Sequence, residues 1–196
     1  MMMKKSEQTR GRLLEAALRV ISRKGYSAAT VDEIVKEAGV SKGVAYYHFK
    51  SKEDIGSSIL AIRTEQIFEE LKSCAGEKDA AGALAAMLGK FVDIAFDDRS
   101  FTRFLMNELW REGRTWSNDM RQKIEAIIEL LAEQVERGKA DGLFRESLDP
   151  AFVANGILGL IITDTLYATG PDGEPTVSKD QFRARISDFV SHALLK

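Results

Sequence analysis

Residues Gly25 to Ile55 read GYSAATVDEIVKEAGVSKGVAYYHFKSKEDI. Thr30 and Glu33 stand at the T-x-x-E spacing of a capping box, where the threonine hydroxyl takes the third backbone N–H and the glutamate returns to the cap's own N–H. This opens a short helix at 31–38, which Gly39 stops because glycine enters the left-handed region without strain. Ser41 caps a helix at 42–48, and Ser51 caps a longer one that follows. Two helices of about eight and seven residues, joined by Gly39, Val40 and Ser41, have helix-turn-helix spacing, although a plain corner between helices shares that outline.

The side chains of the 42–48 helix separate the two readings. At roughly 100° per residue, Ala45 and Phe49 fall on one side, while Gly43, Val44 and Tyr47 fall opposite, flanked by Lys42, Tyr46 and His48. Such a face is odd for a surface that meets only water, and it suits a duplex groove. Glycine admits close backbone approach, valine meets a thymine methyl, and lysine and tyrosine bond phosphates. Thr30, Ser41 and Lys52 add polar groups at three helix N-termini, where free N–H groups favour anions.

Outward from this stretch, the chain reads as helix throughout. Its three prolines all lie at or after Pro150. Apolar residues recur at i, i+3, i+4, i+7 in Leu14, Ala17, Leu18 and Ile21, and again in Leu84, Met87, Leu88 and Phe91. The spacing predicts about nine helices, at 7–24, 31–38, 42–48, 52–73, 78–97, 100–112, 118–140, 150–169 and 178–195. Asp149 before Pro150 is an N-cap followed by N1. The expected fold is all-α, with an N-terminal helix-turn-helix three-helix head (1–52) and a larger helical core (53–196). At 196 residues the chain is long enough to bury a substantial core.

Composition narrows the function classes. Residues 1–63 carry 12 Lys/Arg against 7 Asp/Glu, and the remainder 16 against 23. A basic end on an acidic body suits an encounter between that end and a polyanion. One cysteine, Cys74, and two histidines, His48 and His192, make a His/Cys metal site or an internal disulfide a poor expectation. No nucleophile-elbow, zinc-protease or phosphate-loop motif occurs, so neither an enzyme nor a cofactor is expected. The N-terminus lacks a signal-peptide apolar core, and the apolar run 156–162 is far shorter than a bilayer span. A cytoplasmic protein with no membrane partner is therefore expected.

Gly25 to Ile55 closely resembles the DNA-binding domain of the TetR (tetracycline-repressor-type) transcriptional regulators. The later chain is similar to them in length, helix count and the turn GLFRESLDP, residues 142–150. The resemblance implies a homodimeric repressor with Lys42–His48 as recognition helix, released from DNA when a small-molecule effector binds the core. Carried over by motif, Thr30, Ser41, Lys42, Gly43, Tyr46, Tyr47, His48 and Lys52 contact DNA, with Thr30, Tyr46 and Lys52 mainly on phosphates. Val44 and Ala45 stand where many members have Thr and Leu, and at Val44 this bears on base readout.

The core suggests two further surfaces. Phe91, Phe104 and Trp110, with Phe96, Phe101 and Trp116 nearby, either pack the interior or line a largely apolar effector pocket. Asn107, Asn155 and Asp164 are the polar residues placed to orient a ligand there. Helix 150–169 is apolar around most of its circumference, with Gly156 and Gly159 allowing close approach. It is expected to pair with a symmetry mate beside Phe182, Ile186 and Phe189 of the last helix. Two rivals stay open: a helical binding module without DNA recognition, and an all-α enzyme.

Overall fold

Side-chain caps build most of the helix starts. In the computed structural model, which describes residues 5–77, 79–109, 118–170 and 174–196, nine α-helices appear and no strand does among those residues. They are α1 (Lys5–Lys24), α2 (Val31–Ala38), α3 (Lys42–His48), α4 (Lys52–Cys74), α5 (Ala80–Asp97), α6 (Arg99–Leu109), α7 (Asn118–Ala140), α8 (Pro150–Tyr167) and α9 (Lys179–Leu194). The Thr30–Glu33 capping box is formed in both directions. Asp149 accepts the Phe152 N–H at 2.8 Å with Pro150 at the first helical position. Asp79 caps α5, and Ser178 with Gln181 makes a second capping box at α9. Gly25 and Gly39, with φ of 81° and 64°, take the left-handed turns that close α1 and α2.

The chain divides into two compact units. Among the described residues the first comprises 5–63 and 103–109, and the second 64–77, 79–102, 118–170 and 174–196. The division between the units falls within α4, and the boundary expected from the sequence lies after residue 52, at the start of that helix. Ile55, Ile59 and Leu60 of α4 are buried, and Phe104 of α6 packs its ring 5.5 Å from that of Tyr26 in the α1–α2 turn. Helix periodicity cannot reveal this, because α4 and α6 each run unbroken from one unit into the other.

In the first unit, α1 lies against α2 and α3 with Leu13, Ala17, Val20 and Ile21 buried. Polar ties lock the pair. Arg12 donates to the Ala38 carbonyl at 2.6 Å, satisfying the C-terminal end of α2. Arg19 and Arg23 both reach Glu37, at 3.0 and 2.7 Å, and Lys24 reaches Glu33.

In the second unit α5 is the central helix, packed against α7, α8 and α9. Its Ala83, Leu84, Met87, Leu88 and Val92 are buried. The turn after α7 closes on a glycine: a Cβ at Gly138 would lie 2.2 Å from the Phe144 ring, so no other residue lets that ring seat. Arg145 N–H then donates to the Leu194 carbonyl at 3.1 Å, tying the turn to the end of α9. By length and mean hydropathy (1.3) α8 is apolar enough to cross a membrane, which the uninterrupted run 156–162 does not disclose. Its Ala154, Ile157, Ile161 and Thr165 are nevertheless buried against the chain's own helices.

Two carboxylates in the head make its stability acid-sensitive. The Lys24 ammonium and the Thr30 N–H hold Glu33 below its ordinary value of 4.5, and the Arg23 and Arg19 guanidiniums do the same for Glu37. A folded-state value below the unfolded one contributes stability above pH 4.5 and loses it as pH falls through the folded value. Thermal scans from about pH 6 down to about pH 3 should show falling head stability. The Glu33→Gln, Glu37→Gln variant should start lower and fall less steeply; a fall as steep as wild type would remove these two groups from the effect.

Candidate nucleic-acid interface

A helix of seven residues does not persist alone in water, so α3 depends on what holds its inner side. Ala45 and Phe49 are buried there, and the Arg10 guanidinium stands 5.1 Å from the Phe49 ring centre. Ser41 accepts the Val44 N–H at 3.3 Å at the front of the helix, and the Phe49 N–H donates to the Ala45 carbonyl at the back. The opposite side stands in solvent. Tyr47 is 81% exposed and Tyr46 51%, with Val44 also exposed and His48 half-buried. The Tyr47 and His48 rings meet edge to face at 5.1 Å.

Most of the expected interface residues thus share one accessible surface: Ser41, Lys42, Gly43, Val44, Tyr46, Tyr47 and, in part, His48. Thr30 is exposed as well, but its hydroxyl is engaged at the start of α2 with Glu33. Lys42 pairs with Asp32 at 2.7 Å, and that hydrogen bond raises the lysine's pKa, keeping it fully cationic. Both partners are more than half exposed, so the pair is solvated and open to exchange for a phosphate.

Lys52 is engaged differently from the residues of α3. Half-buried, it donates through its ammonium to the carbonyls of Tyr26, Ser27 and Ala29 at 2.9, 3.1 and 2.9 Å. It also lies 4.8 Å from the Tyr26 ring centre. An ammonium has three donors, and here each has an acceptor. The sequence shows a lysine in a first helical turn but not the carbonyls it meets, so the phosphate role implied by motif and this internal engagement compete for the same three donors.

The expected effector residues are distributed over both units. Phe91 is buried on α5, and Phe104 is buried against Tyr26 in the first unit. Asn107 is exposed, and Asn155 is exposed with its amide donating to the Ala151 carbonyl of its own helix. Asp164 is exposed on α8. Trp110 and Trp116 lie outside the described residues.

Of the expected pairing surface, Phe182 and Ile186 turn inward, 3% and 2% exposed, with the Phe182 ring 5.6 Å from Phe96. They belong to the chain's own core, because α9 packs on α5 through that edge. Gly156, Gly159 and Phe189 instead border an open apolar groove of about 830 Å³ along α8 and α9. Phe152 and Tyr167, which sequence reasoning passed over, are 78% and 82% exposed on α8. The signal for them was the apolar circumference of α8, but periodicity alone cannot say which side the core takes.

Comparison with known proteins agrees with this geometry. Residues 13–57 match the family described as bacterial regulatory proteins, tetR family, and residues 81–166 match the tetracyclin repressor-like C-terminal domain. The fatty acid metabolism regulator protein of Bacillus subtilis is 30% identical over 154 residues, covering 76% of this chain and 77% of that protein. The structure of a putative fatty acid metabolism regulator from Clostridium perfringens superposes with a TM-score of 0.80 at 27% identity, covering 94% of this chain and 99% of that one. FadR from Bacillus subtilis, solved in complex with stearoyl-CoA, has the same fold, with a TM-score of 0.80 at 22% identity over 92% of this chain and 97% of that one.

Gly43 yields a sharp test of the exposed face. It has no positive φ, and a Cβ there would find nothing nearer than the Ser41 hydroxyl at 3.9 Å. The head itself therefore gains nothing from glycine, which in a helix interior is less favourable than alanine by about 1 kcal/mol. Gly43→Ala should raise the melting temperature slightly while weakening duplex binding about tenfold or more, the loss expected when a groove wall must back away. Calorimetry and a binding titration on the same sample check both; unchanged duplex affinity would show that nothing approaches Gly43.

Proposed function

The chain belongs to the TetR family of bacterial regulatory proteins, and from that premise we propose that it is a ligand-responsive repressor that binds a pseudo-palindromic operator as a homodimer. The observation that carries this reading is the exposed, capped α3 with its Gly-Val-Tyr face. On this reading α3 enters the major groove. Gly43, Val44 and Tyr47 meet base edges, and Ser41, Lys42, Tyr46 and His48 hold the flanking backbone.

A single head covers only half an operator, and α8 supplies the reason for pairing. Gly156 and Gly159 are exposed in mid-helix, and a Cβ on either would touch nothing in this chain. Two helix-weakening residues without an internal use suit the close approach of another helix. A second copy laid on Phe152, Tyr167 and Phe189 would cover the apolar face, and a homodimer reads a pseudo-palindromic operator with recognition helices about 34–36 Å apart, or a multiple of that.

The effector is proposed to come from fatty-acid metabolism, as the names of the two more similar relatives suggest. Stearoyl-CoA, present with the Bacillus subtilis FadR structure, is the first probe. Release requires that the ligand favour the DNA-free state, a coupling of about 1–3 kcal/mol in typical cases. The setting is cytoplasmic, where both DNA and acyl thioesters are found.

Selection of duplexes from a random pool tests the DNA reading. The wild type should recover a palindromic consensus, and the Lys42→Ala, Tyr47→Ala variant should recover none. Micromolar stearoyl-CoA should then weaken wild-type operator affinity about 5- to 150-fold. Enrichment of nothing by the wild type would sink the repressor reading, and enrichment that stearoyl-CoA leaves untouched would sink only this effector class.

The pairing surface has its own test. Because the space beside Gly159 is open, Gly159→Leu should leave the subunit folded yet shift sedimentation from dimer to monomer. Operator affinity should fall with it. A Gly159→Leu variant that stays dimeric would move the interface elsewhere.

A further inference from the structure

We propose that Lys52 is a positioning residue for DNA recognition, closing the helix-turn-helix on itself rather than holding a phosphate. The proposal rests on the DNA-binding reading above. Its basis is where the ammonium goes. The carbonyls of Tyr26, Ser27 and Ala29 converge on one point, and Lys52 Nζ occupies it at 2.9–3.1 Å from all three. The cation also sits against the Tyr26 ring face, an attractive placement for an ammonium.

The consequence follows from chain order. Ala29 immediately precedes Thr30, the N-cap of α2, and α2 leads through Gly39 to α3. Shortly after α3, the chain reaches Lys52 in the first turn of α4. That junction is itself fixed: the Lys50 N–H donates to the Asp54 carboxylate at 2.9 Å, and Ser51 accepts the Asp54 N–H at 3.2 Å. Lys52 then returns 23 residues to the Ala29 carbonyl. The segment holding α2 and α3 is thus pinned at both ends to the same turn of α4.

One helical turn further on, Gly56 seats the other side of the same joint. A Cβ there would meet Tyr26 Cε2 at 3.0 Å and Phe104 Cζ at 3.4 Å. The Tyr26 ring is held between Lys52, Gly56 and Phe104, while its backbone carbonyl is held by Lys52. In this arrangement all three donors of the ammonium are taken up by backbone carbonyls. Its presence instead determines where α2 begins, and therefore where α3 points.

A positioning role, a phosphate contact and a merely structural role predict different outcomes for two variants. Lys52→Met removes the donors at similar length. Lys52→Arg keeps the charge and any phosphate contact, but no nitrogen of the planar guanidinium carries three N–H groups to serve three carbonyls converging on one point. The measurements are affinity for the selected operator, affinity for a scrambled duplex of equal length, the salt dependence of each, and the melting temperature.

We expect both variants to lose operator affinity about tenfold or more and scrambled-duplex affinity less than about threefold. The slope of log K against log salt should stay at the wild-type value. A slope that is shallower in Lys52→Met by about 0.9 for each phosphate no longer neutralised, with equal weakening on both duplexes and near-normal binding by Lys52→Arg, identifies a phosphate ligand and overturns the proposal. Wild-type operator affinity in both variants, with only a lowered melting temperature, overturns it as well. Should Lys52→Met not fold, Lys52→Arg decides alone. A wild type that selects no duplex overturns the DNA-binding reading and this one together, whereas the other failures appear only in the variants.

Discussion

Seven residues of helix cannot hold themselves together, and the exposed Gly-Val-Tyr face of this protein's head is made of such a helix. Forming α3 requires that its inner edge be buried and its end groups satisfied by something else. Ala45 and Phe49 supply the edge, and Ser41 serves the front. The neighbouring helices are therefore arranged around a piece that has no stability of its own. Arg12 closes the end of α2, Arg19 and Arg23 hold α2 to α1 through Glu37, and Lys52 ties the entry to α2 to the start of α4. Such rigidity is what base readout demands, since base edges are read only by side chains held in register with a groove.

Glycines mark where this chain packs on itself and where it leaves room. Gly56 and Gly138 are required internally, because Tyr26 with Phe104 in one case and Phe144 in the other occupy the place of a side chain. A Cβ at Gly43 would meet only the Ser41 hydroxyl at 3.9 Å and one at Gly156 or Gly159 would meet nothing, and each of the three sits on an exposed helix face. The same residue type thus answers opposite needs. On α3 and α8 the empty space coincides with exposed aromatic side chains, Tyr47 on one and Phe152 and Tyr167 on the other. Aromatic side chains left in water beside backbone that can be approached closely describe surfaces made for contact.

Charge is distributed to match. The cationic side chains of the head are largely engaged with carboxylates or carbonyls, as Lys24, Lys42 and Lys52 illustrate. Exposed pairs such as Lys42 with Asp32 are weak and exchangeable, so they retain a cation without committing it. A lysine on three carbonyls is committed. The difference between these two lysines, ten positions apart in the same motif, is one of burial and acceptor geometry.

What could be read without a structure was local. Helix starts and stops were legible because caps, left-handed glycines and the Asp149–Pro150 pair act over four or five residues. The outward face of α3 was legible because helical periodicity over seven residues leaves little ambiguity once Ala45 and Phe49 are assigned inward. Long-range placement was not legible. Phe182 and Ile186 share an apolar stripe with Phe189, and only the position of α5 determines that the first two are core and the third is exposed. Phe104 belongs to the head because Tyr26 is there to meet it, and the Lys52 ammonium is engaged because three carbonyls of a distant turn converge on it. Sequence alone determined which segments are helices and which short helix faces outward, since backbone hydrogen bonding and capping are satisfied by near neighbours. Tertiary structure decided which face of each long helix is covered and which cations are used up, since those depend on groups many residues away whose positions no local pattern carries.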